Sequence, residues 1–168
     1  MERRVVITGT GVITPVGNNV ETFWNSLING VCGIDFIKDI PTEGLTVKVA
    51  GQVKDFKATE YGIDAKSARK HDRFCLFALA AAYQAMKESG LKATDNCTGE
   101  DPNEIPAGRL GVYIGSGIGG MHAFVNETKK MLEDGPQWIS PLFIPTMISN
   151  IAAGNVAIAH NAKGVCLP

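Results

Sequence analysis

The sequence predicts an α/β fold, on three observations. Arg4 to Thr8 is a β-rich, largely apolar run that leads through Gly9 and Gly11 toward an amphipathic helix, as a strand buried on both faces of a parallel sheet would. Arg109 to Gly115 (RLGVYIG) repeats the pattern and runs into Ser116-Gly117-Ile118-Gly119-Gly120. The composition, 45% hydrophobic and 20% charged with 19 glycines and 8 prolines, is that of an ordinary globular chain. At 168 residues it is long enough for one domain that buries roughly 70% of its unfolded surface without a disulfide or metal.

The elements follow in order. Asn18-Asn19 offers a cap, with Glu21 in the first turn, for a helix over Val20 to Asn29 whose Phe23, Trp24, Leu27 and Ile28 share one face; Gly30 closes it. From Val31 to Phe56 the chain alternates and turns, an excursion from the main sheet in which Leu45 to Gly51 is the best short strand. Asp64 can cap a short helix over Ala65 to Asp72. Phe74 to Ser89 (FCLFALAAAYQAMKES) is so uniformly apolar and alanine-rich that it predicts a central helix, ended by Gly90. Leu91 to Ala107, polar and carrying Pro102 and Pro106, reads as a surface loop. After the second strand come a partly exposed helix over Met121 to Leu132 and an extended, proline-bounded stretch from Pro141 to Pro145. A helix from Thr146 to about Ala159 then has small residues, Ala152, Ala153, Gly154 and Ala157, that let other backbones come close.

The first glycine turn invites a dinucleotide reading, and the residues argue against it. The fingerprint G-x-G-x-x-G needs a third glycine for tight packing of helix on strand, but Thr14 stands there and Pro15 follows where the helix should already run. Asp35 lies at a tolerable distance for the acidic partner, yet Gly33-Ile34-Asp35 does not read as the end of a buried strand. The P-loop pattern is absent too. The better reading is that these glycines only turn the chain after a strand.

Other chemistries find little support. Cys32, Cys75, Cys97 and Cys166 share no C-x-x-C spacing and no histidine sits at ligand spacing beside them, so no metal site is expected and the four read as buried thiols of a reducing compartment. A net charge of −1 argues against a nucleic-acid or membrane-surface binder. Gly9, Gly11 and Pro15 interrupt the N-terminal apolar run too early for a signal peptide, and no stretch is long enough to span a bilayer.

Several long motifs, in order and in one register from Arg3 to Pro168, carry a specific resemblance: RRVVITGTGVITPVGNNVETFWNSLINGVCGI, AYQAMKESGL, GSGIGG and WISPLFIPTMISNIAAGNVAIAHNAKG. Together they resemble the N-terminal region of a β-ketoacyl-acyl-carrier-protein synthase, nearer to the synthase II type of bacterial fatty acid elongation than to synthase I. The resemblance implies a thiolase-like fold of two duplicated halves, each around a mixed five-stranded sheet, in a cytoplasmic homodimer. It also implies a decarboxylative Claisen condensation. An acyl group passes from acyl carrier protein to a cysteine thiolate, and malonyl carrier protein loses carbon dioxide and attacks the thioester, aided by an oxyanion hole and two histidines. No cofactor is implied beyond the carrier's phosphopantetheine arm, and the partners are acyl carrier protein and a second copy, not nucleic acid or membrane.

The family's nucleophile sits in a Ser/Thr-Ala-Cys turn after the strand that follows Lys163-Gly164, and the sequence stops at Pro168, short of it. Residues 1–168 are therefore expected to be an N-terminal domain fragment of a larger enzyme, inactive alone. Cys166 falls at the start of that strand, where a packing role is expected, and His71, His122 and His160 lie in contexts unlike those of the catalytic histidines. Two features do carry over. Ile118 and Phe143 match positions that line the acyl tunnel, the latter across the dimer interface, with plain core packing as the alternative. Lys66, Arg69, Lys70 and Arg73, at i, i+3, i+4 and i+7, would place four cations along one side of a short helix; the first three match carrier-docking residues, against a solvated helix face. Lys66 would stand in a first turn where the helix dipole disfavours it. Gln137-Trp138 stand where the family often has basic residues, which weakens a second carrier contact. A noncatalytic thiolase-like partner subunit that binds carrier protein is the alternative function.

Overall fold

The computed structural model describes residues 4–168. Its core is a helix pair. The long helix α3 (Arg73–Ser89) lies against α6 (Ile151–Ala159), where Cys75 and Leu79 of the first meet Ala153, Val156 and Ala157 of the second. The small residues of α6 permit this approach: Ala152 and Ala153 are each 1% exposed. Gly90, with φ +70°, ends α3 by returning its N–H to the carbonyl of Met86. Around the core stand α1 (Val20–Ile28), α2 (Ala65–Ala68), α4 (Met121–Glu133) and α5 (Phe143–Met147). Asn19 caps α1 as expected, its side-chain oxygen accepting from Thr22 N at 2.8 Å.

The described strands form three two-stranded sheets. β1 (Asp35–Phe36) and β2 (Val49–Ala50) pair antiparallel, leaving most of the strand expected over residues 45–51 irregular. β3 (Lys92–Thr94) and β4 (Glu104–Pro106) pair in parallel inside the expected surface loop. β5 (Val112–Tyr113) pairs in parallel with β6 (Cys166–Leu167), Val112 opposite Cys166, so the expected second strand is real but short.

Residues 4–8 are not a buried strand. They have no ladder partner among the described residues, and Val5 and Ile7 are 94% and 86% exposed. A strand exists only where another chain segment accepts its hydrogen bonds. Gly9 and Gly11 do more than turn the chain. A Cβ on Gly9 would lie 2.1 Å from the carbonyl oxygen of Ala85, and one on Gly11 1.9 Å from that of Ala81. Both glycines let the opening segment rest on the backbone of α3, where Gln84 Nε2 donates to the carbonyls of Val12 and Asn18. The turn itself comes later, between Thr14 and Gly17.

The segment expected to be extended after Pro141 is the helix α5. Pro145 is tolerated because it is the third residue of that helix, where no intrahelical acceptor awaits an N–H. The single helix expected from Thr146 is broken at residues 148–150. The carbonyl of Met147 accepts from Gly120 N at 2.8 Å rather than from the next helical turn.

Candidate functional site

Of the expected cations α2 carries Lys66 alone, and the start of the helix explains how Lys66 is accommodated. Asp64 Oδ1 accepts from Lys66 N and Ser67 N at 2.9 and 3.0 Å, and Oδ2 from Ser67 Oγ at 2.6 Å. These bonds, the Ser67 hydroxyl foremost, hold the Asp64 carboxyl below its ordinary range. A negative charge thus sits at the helix end that Lys66 would otherwise disfavour.

The helix stops at Ala68, not at Asp72, and this changes the row of four cations. Lys66, Arg69 and Lys70 remain exposed, and no carboxylate among the described residues pairs with them. Arg73 leaves the row because it belongs to α3. It pairs with Asp39 at 3.3 Å, donates to the carbonyl of Val53 at 2.7 Å, and lies over the ring of Phe77 at 5.3 Å. The reason for the break is Asp72, whose extended backbone restarts the helix, its carbonyl accepting from Cys75 N and Leu76 N.

His71 occupies the connector between α2 and α3. Asn155 Nδ2, on α6, lies 3.2 Å from His71 Nδ1 and 3.1 Å from Cys75 Sγ. Its two protons satisfy both if the imidazole is neutral with Nδ1 as acceptor. Burial, assisted by the charge of Lys70, lowers the pKa of His71, and burial raises that of the Cys75 thiol. Cys75 is therefore a packed thiol rather than a nucleophile.

Phe143, on α5, stacks at a tilt against Phe124 of α4, ring centres 6.2 Å apart. It lines a cavity of about 240 Å³ together with Arg69, Lys70, Glu127, Ser140 and Thr146. Glu127, although in that wall, is engaged: it accepts from Lys130 Nζ at 2.6 Å and Ser140 N at 2.7 Å, which hold its carboxyl below the usual range. Ile118 stands apart, 71% exposed at the tip of the glycine turn, and this chain does not bring it to Phe143's cavity. A larger cleft of about 710 Å³ opens beside β1 and β2, where Lys38 and Lys54 pair with Asp35 and Arg73 pairs with Asp39. Cys166 is exposed on β6 and lines a cavity of about 150 Å³ with Asn150, Ile151 and Gly154, where no basic side chain is present.

The sequence alone missed Asp72, Asn155 and Glu127 as structural anchors. Two signals were available. Asp72 directly precedes the apolar run of α3, a helix-start pattern, and Asn155 is the one amide in an otherwise apolar helix, IAAGNVAIA.

Comparison with known proteins decides the family. The β-ketoacyl synthase N-terminal domain matches residues 2–167. The chain belongs to that family. The 3-oxoacyl-(acyl-carrier-protein) synthase 2 of Staphylococcus aureus (strain COL) is 44% identical over 162 residues, 96% of this chain and 37% of that protein. The synthase 2 of Vibrio harveyi is 42% identical over 163 residues, 97% of this chain and again 37% of its own. The chain thus spans little more than a third of these curated relatives. Among solved structures, the ishigamide ketosynthase/chain length factor superposes with a TM-score of 0.82 at 24% identity, covering 99% of this chain and 39% of that one. A β-ketoacyl synthase from Burkholderia phymatum STM815 gives 0.75 at 24% identity, with the same coverage. These likenesses establish the thiolase-like fold of the β-ketoacyl synthase domain.

Proposed function

We propose that this chain is the N-terminal domain portion of a 3-oxoacyl-acyl-carrier-protein synthase that elongates fatty acyl chains by decarboxylative Claisen condensation with malonyl carrier protein. In this reading it supplies scaffold, carrier dock and tunnel wall, and the nucleophile turn and histidines lie beyond residue 168. One observation supports the dock above the others: Arg69 and Lys70, unpaired among the described carboxylates, line the same cavity as Phe143. An acidic carrier protein seated on Lys66, Arg69 and Lys70 would deliver its arm beside an apolar wall. A ketosynthase of the AntDE:AntF assembly, which superposes with a TM-score of 0.71 at 24% identity, is described in complex with an acyl carrier protein. A cytoplasmic homodimer goes with the same reading, Phe143 of one copy serving the tunnel of the other.

The test is charge reversal in the full-length protein. Exposed ion pairs contribute little singly and are screened by salt, so the docking reading expects Lys66→Glu with Arg69→Glu to weaken carrier binding about tenfold at low salt. The difference should vanish at high salt. An unchanged salt dependence would place the dock elsewhere.

A further inference from the structure

Between the docking stretch and the turn that bears Ile118 stands one buried carboxylate that neither surface accounts for. Asp72 is 7% exposed. Its side chain gives α3 no cap; instead Oδ2 accepts from Ala123 N at 2.7 Å, in the first turn of α4. That helix starts at Gly120, which has no side chain with which to cap it, so the cap arrives from 51 residues away. Glycine is also what admits it: a Cβ on Gly120 would lie 2.9 Å from Asp72 Oδ2 and 2.8 Å from the carbonyl oxygen of Thr146. Each residue accommodates the other.

The arm that carries this carboxylate is itself fixed. On one side His71 is held by Asn155 at 3.2 Å; on the other Arg73 is held by Asp39 and the carbonyl of Val53. The glycine turn is seated on the chain that follows α5: Gly119, with φ +89°, donates its N–H to Ser116 Oγ at 3.1 Å and lies against the backbone of residues 147–149, and Gly120 N donates to the carbonyl of Met147 at 2.8 Å, so that this contact and the bond from Ala123 N to Asp72 are what position it. We infer that Asp72 is a positioning residue: it sets where residues 117–120, and so Ile118, stand relative to the docking cations, and thereby governs acyl chain-length selectivity from outside the tunnel. This rests on the reading of Ile118 as tunnel wall.

The experiment compares the full-length protein with Asp72→Ala and Asp72→Asn, reading kcat/KM for long and short acyl carrier substrates, carrier KM and its salt slope, and melting temperature. Losing the acceptor should change the long-to-short ratio about fivefold, the effect of one buried hydrogen bond. Asn keeps an acceptor oxygen and should restore the ratio to within about twofold, with carrier KM and salt slope unchanged in both variants. A folded Asp72→Ala with the original ratio overturns the proposal. So does a uniform fall at all chain lengths that tracks the melting temperature, since that is a merely structural role. If Asp72→Ala does not fold, Asp72→Glu decides: its arm is one methylene longer, and a shifted ratio supports the proposal while an unshifted one overturns it. Ile118→Trp separates the two readings. If it leaves selectivity untouched, the tunnel assignment has failed and the proposal with it; if it shifts selectivity and the Asp72 variants do not, only the proposal fails.

Discussion

Gly11→Ala tests why the opening glycines are there. The added Cβ would sit 1.9 Å from the carbonyl oxygen of Ala81 and 2.9 Å from Gln84 Cβ, where ordinary contact begins at 3.4 Å. The obstacle at Ala81 is helix backbone, so the opening segment must retreat by about 1.5 Å (3.4 − 1.9). Both 3.1 Å bonds from Gln84 to the carbonyls of Val12 and Asn18 would then be broken, as would the contact of Thr10 with Glu88. Two part-buried hydrogen bonds contribute about 2 kcal/mol net. Overpacking strain adds about 1–3 kcal/mol. Alanine's smaller unfolded-state entropy returns roughly 0.5–1 kcal/mol.

The expected loss is therefore about 2–4 kcal/mol, a fall of about 5–15 °C in melting temperature for a chain of this size. Urea and thermal melts read it directly. Gly108→Ala is the control, because nothing lies within 4 Å of its Cβ position, and it should stay within about 0.5 kcal/mol of wild type. A Gly11→Ala protein as stable as that control would refute the seating of residues 9–12 on α3. The dinucleotide reading makes a different forecast: calorimetric binding of a nicotinamide dinucleotide by wild type, lost in Gly11→Ala. The packing account expects none in either.

Thiol labelling and pH give two further checks. Native Cys75, 1% exposed with its thiol pKa raised by burial, should resist iodoacetamide at neutral pH while exposed Cys32 and Cys166 react, as peptide mass spectrometry would resolve; equal labelling of Cys75 would contradict its packing. Burial lowers His71 and His160 from the ordinary 6.5, so the stability they contribute is full above that value and lost as pH falls through their folded pKa values, the unfolded chain taking up protons first. Melting temperature should begin to fall just below pH 6.5, before the carboxylates titrate, and His71→Gln with His160→Gln should flatten that step; a wild-type profile level down to about pH 5 would contradict it.

What the sequence disclosed depended on whether its cause was local. Asn19 and Asp64 announce helix starts by residue type, Gly90 announces a stop, and the alanine-rich run of α3 announces a buried helix; each is a property of a few neighbouring residues. Strands fared worse because pairing is not local. Residues 4–8 have the composition of a central strand and no described partner, while residues 92–94 and 104–106, within a stretch whose polarity and prolines read as a loop, form a parallel pair. The cations at 66, 69 and 70 are legible as a cluster, but a helical period continued past Asp72 groups Arg73 with them, and the chain in fact restarts there.

The expected short helix over residues 65–72 ends instead at Ala68, and Asp72 stands in extended backbone at the start of α3. Breaking the helix turns Asp72 inward, and three distant parts of the chain then meet within hydrogen-bonding distance: Asp72 with Ala123, and Gly120 with Met147. Met147's carbonyl, diverted to Gly120, is also what interrupts the α5–α6 run. Gly120 and the two helix breaks are thus one structural event. A side chain at residue 120 would disturb both contacts at once, so the last two glycines of GSGIGG, Gly119 and Gly120, answer to close packing against residues 146–149 and Asp72, whereas Gly115 and Gly117 have nothing within 4 Å of their Cβ positions.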